Sequence, residues 1–296
     1  MCGIVGLFIK DKTLEPELGS MLSDMLITMT DRGPDSAGFA VYGAPGEMKI
    51  TVQSTNPESD FADLAGDIKR ACDVSCEVTL KDTHAVLQVA NDQAETVRTA
   101  LSEMGDSIRV MSAGEAIEIY KEVGLPAEVS ERFDLTQMSG SHAIGHTRMA
   151  TESAVTTMGA HPFSTGADQC LVHNGSLSNH NNLRRELVRK GIHFETENDT
   201  EVAAAYLSDC LASGMNLGAA LESGIEDMDG FYTFVVGTKN GFGVLRDPIA
   251  CKPAVLAETD QYVAFGSEYR ALVNLPGIED AKVWEPEPAT VYFWER

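Results

Sequence analysis

The 296-residue chain is 43% hydrophobic and 23% charged, the balance of a globular protein long enough to bury a substantial core. Its formal charge of −23, unrelieved by any basic stretch, argues against nucleic-acid and anionic-membrane partners. With no cationic apolar leader, no apolar run approaching about 18 residues, and six scattered cysteines, the expectation is a cytoplasmic protein in a reducing compartment, with no membrane contact.

The chain opens Met1-Cys2-Gly3-Ile4-Val5-Gly6. Removal of Met1, which a small second residue favours, leaves one residue carrying both a thiol and an α-amino group. In free form these titrate near ~8.5 and ~7.7–8.0. N-terminal nucleophiles use that pairing for acyl transfer. The same stretch also reads as an ordinary apolar strand over 4–9, with Cys2 a small buried hydrophobe. Leu18, Leu22, Met25 and Met29 recur at helical spacing and predict an amphipathic helix over 15–30. The Asp31-Arg32-Gly33-Pro34 turn stops it, and 37–42 reads as a strand.

From 45 to 115 the pattern becomes self-contained. Met48, Ile50 and Val52 alternate as in a strand, and Phe61, Leu64, Ile68 and Cys72 mark a helix face. Cys76, Val78 and Leu80 alternate again, 84–90 is a strand, Ala94, Val97, Leu101 and Met104 share a helix face, and a strand follows near 108–111. The β-α-β-β-α-β order is the ferredoxin-like arrangement. It predicts a small inserted subdomain, serving subunit contact or regulation, or else a structural embellishment. A helix is predicted over 113–123. Strands follow at 143–147 and 169–173, then a helix over 182–190 and another capped by Asp199 or Thr200. The remainder reads as strands at 231–237, 243–246, 253–257, 262–265 and 290–294. Such blocks predict packed antiparallel sheets flanked by helices, an α+β fold. No zinc site is expected, because Cys72 and Cys76 lack a second pair of ligands and His142 and His146 lack the glutamate of a zincin helix.

Four stretches combine with Cys2: the Arg32-Gly33-Pro34-Asp35-Ser36-Ala37-Gly38 turn, Gly145-His146-Thr147-Arg148-Met149-Ala150-Thr151, His173-Asn174-Gly175, and Glu197-Asn198-Asp199-Thr200-Glu201. A thiolate attacking an amide creates an oxyanion, and the Asn174 amide with the Gly175 N–H is a suitable pair of donors. Arg148 suits a substrate carboxylate, Asp199 suits an ammonium, and Thr151 offers a further hydroxyl. Each has a plainer reading: Asn174-Gly175 as a hairpin turn, Asp199 as a helix cap, Arg148 as a surface ion pair, and Arg32 as a pin from its own turn to Asp35.

Together, in this order, these motifs resemble the class II glutamine amidotransferases of the N-terminal-nucleophile hydrolases. Arg246-Asp247-Pro248 and Phe265-Gly266-Ser267-Glu268 also match, and the resemblance covers about 1–44 and 117–270. It implies a four-layer αββα sandwich formed by 1–44 and 116–296, interrupted by the subdomain at 45–115. It implies Cys2 as nucleophile with its own amino group as base, and Asn174 and Gly175 as oxyanion hole. Arg148, Thr151, Gly175 and Asp199 would bind L-glutamine, and Arg32 would order the site near Cys2. No cofactor and no metal are expected. The chain departs from the family at Met149, where an aromatic residue is common, and at 249–253, where a glycine is usual. Since no synthase domain follows before Arg296, the expected ammonia acceptor is a separate synthase subunit, and the resemblance extends to glutamate-synthase-like assemblies such as N-methylglutamate synthase. Two other readings stay open: an N-terminal-cysteine acylase acting on other amides, and a non-catalytic regulatory or assembly subunit.

Overall fold

The computed structural model describes residues 2–150 and 154–296. In chain order its elements are β1 (Gly3–Ile9), α1 (Leu18–Thr28), β2 (Ser36–Tyr42), β3 (Met48–Ser54), α2 (Pro57–Asp60), α3 (Leu64–Cys72), β4 (Glu77–Lys81) and β5 (His84–Val89). There follow α4 (Ala94–Glu103), β6 (Ile108–Gly114), β7 (Ile117–Val123), α5 (Pro126–Arg132), β8 (His142–Arg148), β9 (Cys170–Leu177), α6 (His180–Arg189) and α7 (Asp199–Ala212). The last are α8 (Leu217–Asp227), β10 (Gly230–Gly237), β11 (Gly241–Arg246), β12 (Val255–Glu258), β13 (Tyr262–Gly266), β14 (Lys282–Trp284) and β15 (Thr290–Glu295).

A seven-stranded sheet runs β14-β12-β13-β1-β8-β2-β7, and a four-stranded sheet runs β15-β11-β10-β9. Every residue of β1, β2 and β8 is buried, because both faces of that sheet are covered. Along β1 the side chains alternate. Val5, Leu7 and Ile9 pack with Leu18, Leu22 and Met25 of α1, while Ile4 and Phe8 face the second sheet. Gly6 shares that inner face, where an added Cβ would lie 2.7 Å from the Phe242 ring. The glycine therefore makes room for an aromatic side chain at the sheet-to-sheet interface. On the second sheet Val172, Val235 and Val244 point inward, and Leu171, Phe234, Val236 and Leu245 point outward among residues of α6, α7 and α8. Helix, sheet, sheet, helix is the αββα sandwich that the resemblance implied.

The inserted segment forms its own four-stranded antiparallel sheet, β4-β5-β3-β6, with α3 and α4 packed on one face around Ile50, Leu64, Ile68, Leu87, Val97 and Leu101. This is the ferredoxin-like βαββαβ subdomain.

Several elements differ from expectation. Residues 113–123 are not a helix: β6 runs on to Gly114, and β7 pairs along its length with β2. The segment contains helix-favouring Glu, Ala and Lys, but alternating Ile117 and Ile119 are wanted in the space between the sheets. The sharp bend before β7 is held by the Asp168 carboxylate, which accepts from the N–H groups of Glu115, Ala116 and Ile117 at 2.8, 2.8 and 3.1 Å. The cap of α7 is Asn198, whose side chain accepts from Thr200 N–H at 2.9 Å, so Asp199 and Thr200 lie inside the first turn. Helices α2, α5 and α8 and strand β14 were not anticipated; Asn216 caps α8 by accepting from Ala219 N–H at 2.8 Å. Among the described residues no helix is long and apolar enough to cross a membrane. None of their His, Cys, Asp or Glu side chains gather into a group of three able to hold a metal ion.

Candidate active site

Cys2 immediately precedes β1, which pairs with β8 on one side and β13 on the other. Gly3 faces Thr147 in that register, so Cys2 and Arg148 leave the sheet at the same edge. Gly3 has no room for a Cβ, which would lie 2.7 Å from Thr147 Oγ1 and 2.8 Å from Met29 Cβ. The start of β1 is fixed on its other side as well: Ile4 N–H donates to Ser267 Oγ at 2.9 Å, and Ser267 N–H donates to Ile4 O at 2.9 Å.

Two side chains converge on the Cys2 carbonyl oxygen. Arg32 Nε donates to it at 2.9 Å and Asn174 Nδ2 at 3.2 Å. Arg32 does not turn to Asp35; its Nη1 pairs with Glu268 Oε1 at 2.6 Å. Asp35 instead accepts from Ala150 N–H at 2.7 Å, and its own N–H donates to Arg148 O at 3.1 Å. The Cys2 side chain is half-buried and its thiol is free.

Asn174 and Gly175 lie inside β9, paired with Thr233 and Tyr232 of β10, so they are not a hairpin turn. Gly175 has φ +149°, and a Cβ there would overlap the Phe231 carbonyl oxygen. Only glycine fits such a backbone without strain. Two residues on, Leu177 N–H donates to Asp199 Oδ2 at 2.9 Å, which ties the first turn of α7 to the strand carrying Asn174 and Gly175. Burial opposes ionisation of Asp199, but the His173 ring 3.6 Å away and the Leu177 N–H outweigh it and hold its carboxyl down at about 2. Asp199 is therefore an anion at neutral pH.

Arg148 is 6% exposed, so it is not a surface ion pair. Its Nη1 donates to Ala154 O at 3.3 Å. Thr151 lies outside the described residues.

Behind Asp199 lie residues that sequence reasoning did not assign. Thr200 Oγ1 is shared by His161 Nε2 at 2.9 Å and His173 Nδ1 at 3.0 Å, and His146 stacks on His161 with ring centroids 4.1 Å apart. Burial pushes His146 down to about 3 and His161 well below its ordinary value, so both rings are neutral. Glu268 was legible as part of a motif but not as the partner of Arg32. The signal was the polar pair Ser267-Glu268 at the end of an apolar strand.

A family described as "Glutamine amidotransferase domain" matches residues 134–292. The glutamine amidotransferase-like protein GlxB of Rhizobium meliloti (strain 1021) is 68% identical over 297 residues, covering 100% of this chain and 98% of that protein. A Methanothermobacter thermautotrophicus protein whose name also carries the words glutamine amidotransferase is 34% identical, over 99% of each chain. Among solved structures, glutamine phosphoribosylpyrophosphate amidotransferase from B. subtilis superposes with a TM-score of 0.63 at 19% identity. That likeness covers 99% of this chain and 47% of the larger one, and it bears on the fold alone.

Proposed function

The chain belongs to the glutamine amidotransferase family, and from that premise we propose that it hydrolyses L-glutamine to glutamate and ammonia through a thioester on Cys2. The observation that carries this reading is the convergence of Arg32 and Asn174 on the Cys2 carbonyl, beside Gly175 and the anionic Asp199. With Met1 removed, the Cys2 thiol gives its proton to the α-amino group and Sγ adds to the substrate carboxamide carbon. The oxyanion is met by the Gly175 N–H and by Asn174, whose amide carries two hydrogens: one holds the Cys2 carbonyl and the other is free to turn to the oxyanion. Collapse of the adduct expels ammonia, which takes the proton from the α-amino group. Water then cleaves the thioester, releasing glutamate and restoring the thiol.

Asp199 pairs with the substrate's α-ammonium, and Arg148, with Thr151 and Gly175, with its α-carboxylate. Arg32 fixes the N-terminal residue by holding its carbonyl. A zwitterionic amino acid accounts for both charges, whereas an acyl chain accounts for neither, which disfavours an acylase of other amides. For the ammonia we propose a separate synthase subunit of the glutamate-synthase-like kind, of which N-methylglutamate synthase is an example. Only overall sequence resemblance supports that step.

The test is glutamate release from glutamine by the mature protein and by Cys2→Ala. Turnover abolished in a variant with wild-type unfolding behaviour supports the reading; wild-type turnover in Cys2→Ala would overturn it.

A further inference from the structure

Away from Cys2, a cleft of about 360 Å³ opens between the inserted subdomain and the core. That is room for about ten water molecules or one small metabolite. Strand β6 and helix α4 supply Ser112 and Arg98 from the subdomain; the core supplies Lys121, Phe163, Glu195 and Glu201. Sorting these polar groups by what they already bind shows which remain available. Lys121 Nζ is taken by the carbonyls of Ala160 at 2.9 Å, Pro162 at 3.2 Å and Met158 at 3.5 Å. The Glu201 carboxylate is taken by the N–H groups of Glu195 and Thr196, both at 2.8 Å, and by Thr196 Oγ1 at 2.6 Å.

Three of these groups are left, beside the His193 ring, which also makes no hydrogen bond or ion pair among the described residues. Ser112 is 2% exposed, and its hydroxyl has no hydrogen-bond partner among the described residues; a buried hydroxyl in that state is costly. The Glu195 carboxylate, on the core side, makes no hydrogen bond or ion pair among the described residues. Arg98, on the subdomain side, holds only the exposed Glu95 at 3.1 Å, a surface pair of little worth. Between them Val110, Met111, Met158 and Ile192 supply apolar lining. Beside the already bonded Lys121 and Glu201 the cleft thus presents Arg98, Glu195 and the deep Ser112 hydroxyl, together with the His193 ring, with Arg98 and Glu195 on opposite sides of the seam.

We propose that this cleft is a binding site for a small zwitterionic α-amino acid with a hydroxyl-bearing side chain, its carboxylate on Arg98, its ammonium on Glu195 and its tip on Ser112. Such a ligand bridges the subdomain to the loop preceding α7, the helix whose first turn carries Asp199. The site is independent of the glutaminase reading, and its test does not use turnover.

The experiment is isothermal titration of the full chain with L-homoserine, beside three analogues that each lack one group: 4-hydroxybutyrate, 3-amino-1-propanol and L-2-aminobutyrate. L-Homoserine should bind, and each analogue more weakly by about tenfold or more, the scale of one lost charge-assisted or buried hydrogen bond. Arg98→Ala and Glu195→Gln are surface changes that leave the fold intact, and each should weaken L-homoserine by a similar factor. No binding of L-homoserine, equal binding of the analogues that lack a charge, or wild-type affinity in both variants would overturn the proposal.

Discussion

The pairing of Arg32 with Glu268 gives a quantitative test of how the N-terminal residue is held. Arg32 is 8% exposed while the Glu268 side chain is 35% exposed, so the pair is half-buried. Glu268→Gln keeps the shape and removes the charge. A hydrogen bond to a charged group is worth roughly 1.5–3 kcal/mol, and solvent at Glu268 reduces this to about 1–2 kcal/mol. The guanidinium already has one buried nitrogen, Nη2, with no partner among the described residues, so it has little to hold it once Glu268 is neutral. Release of Nε from the Cys2 carbonyl leaves Asn174 as the remaining donor to that oxygen. The expected result is a loss of about 1–2 kcal/mol in urea unfolding and a fall of about tenfold in kcat for glutamate release, with KM for glutamine nearly unchanged. The effect also has a pH signature. The Arg32 hydrogen bond lowers the Glu268 carboxyl, so its stabilisation is complete above the ordinary glutamate range and is lost as pH falls below it. A variant that lost stability while keeping wild-type kcat would refute the claim that this pair positions Cys2. So would a variant that changed KM alone.

Asp199→Asn should raise KM for glutamine strongly in a steady-state assay. It should also cost roughly 2 kcal/mol at neutral pH, a contribution present above pH about 4 in the wild type and lost as pH falls toward 2. Gly175→Ala should destabilise the second sheet and abolish turnover, because its φ of +149° and the Phe231 carbonyl exclude a side chain; a folded, active variant would contradict the backbone geometry. Burial pushes His84, His142 and His146 each to about 3, below the ordinary 6.5, so the unfolded chain binds more protons as pH falls through 6.5. The unfolding free energy from urea titration should therefore drop steeply between pH 7 and 5, by roughly 2 kcal/mol per histidine at pH 5; a flat profile would mean those rings are charged or solvated in the native state.

What the sequence made legible was local. The apolar run after Cys2, the helix face at Leu18, Leu22, Met25 and Met29, and the alternation of the inserted subdomain each carry their own period, and the fold follows from them. Non-local pairings were hidden. Arg32 and Glu268 are 236 positions apart, and nothing near either names the other. Residues 113–123 have the composition of a helix, and only the long pairing with β2 makes Ile117–Val123 a strand. Asn174-Gly175 carries a turn signal, but β10 lies alongside and the φ of Gly175 serves a strand crossing close under Phe231. The hydroxyl of Thr200 was readable as a cap; its sharing by His161 and His173 depends on three segments meeting.

The central claim is that Cys2, freed of Met1, forms a γ-glutamyl thioester. Acid quenching of the protein during turnover with glutamine, followed by mass spectrometry of its N-terminal peptide, tests this directly. The account predicts a peptide beginning at Cys2 and carrying one γ-glutamyl group, absent after hydroxylamine treatment and absent in Cys2→Ser. A protein that releases glutamate while its N-terminal peptide retains Met1, or while the adduct appears on another residue, would contradict it.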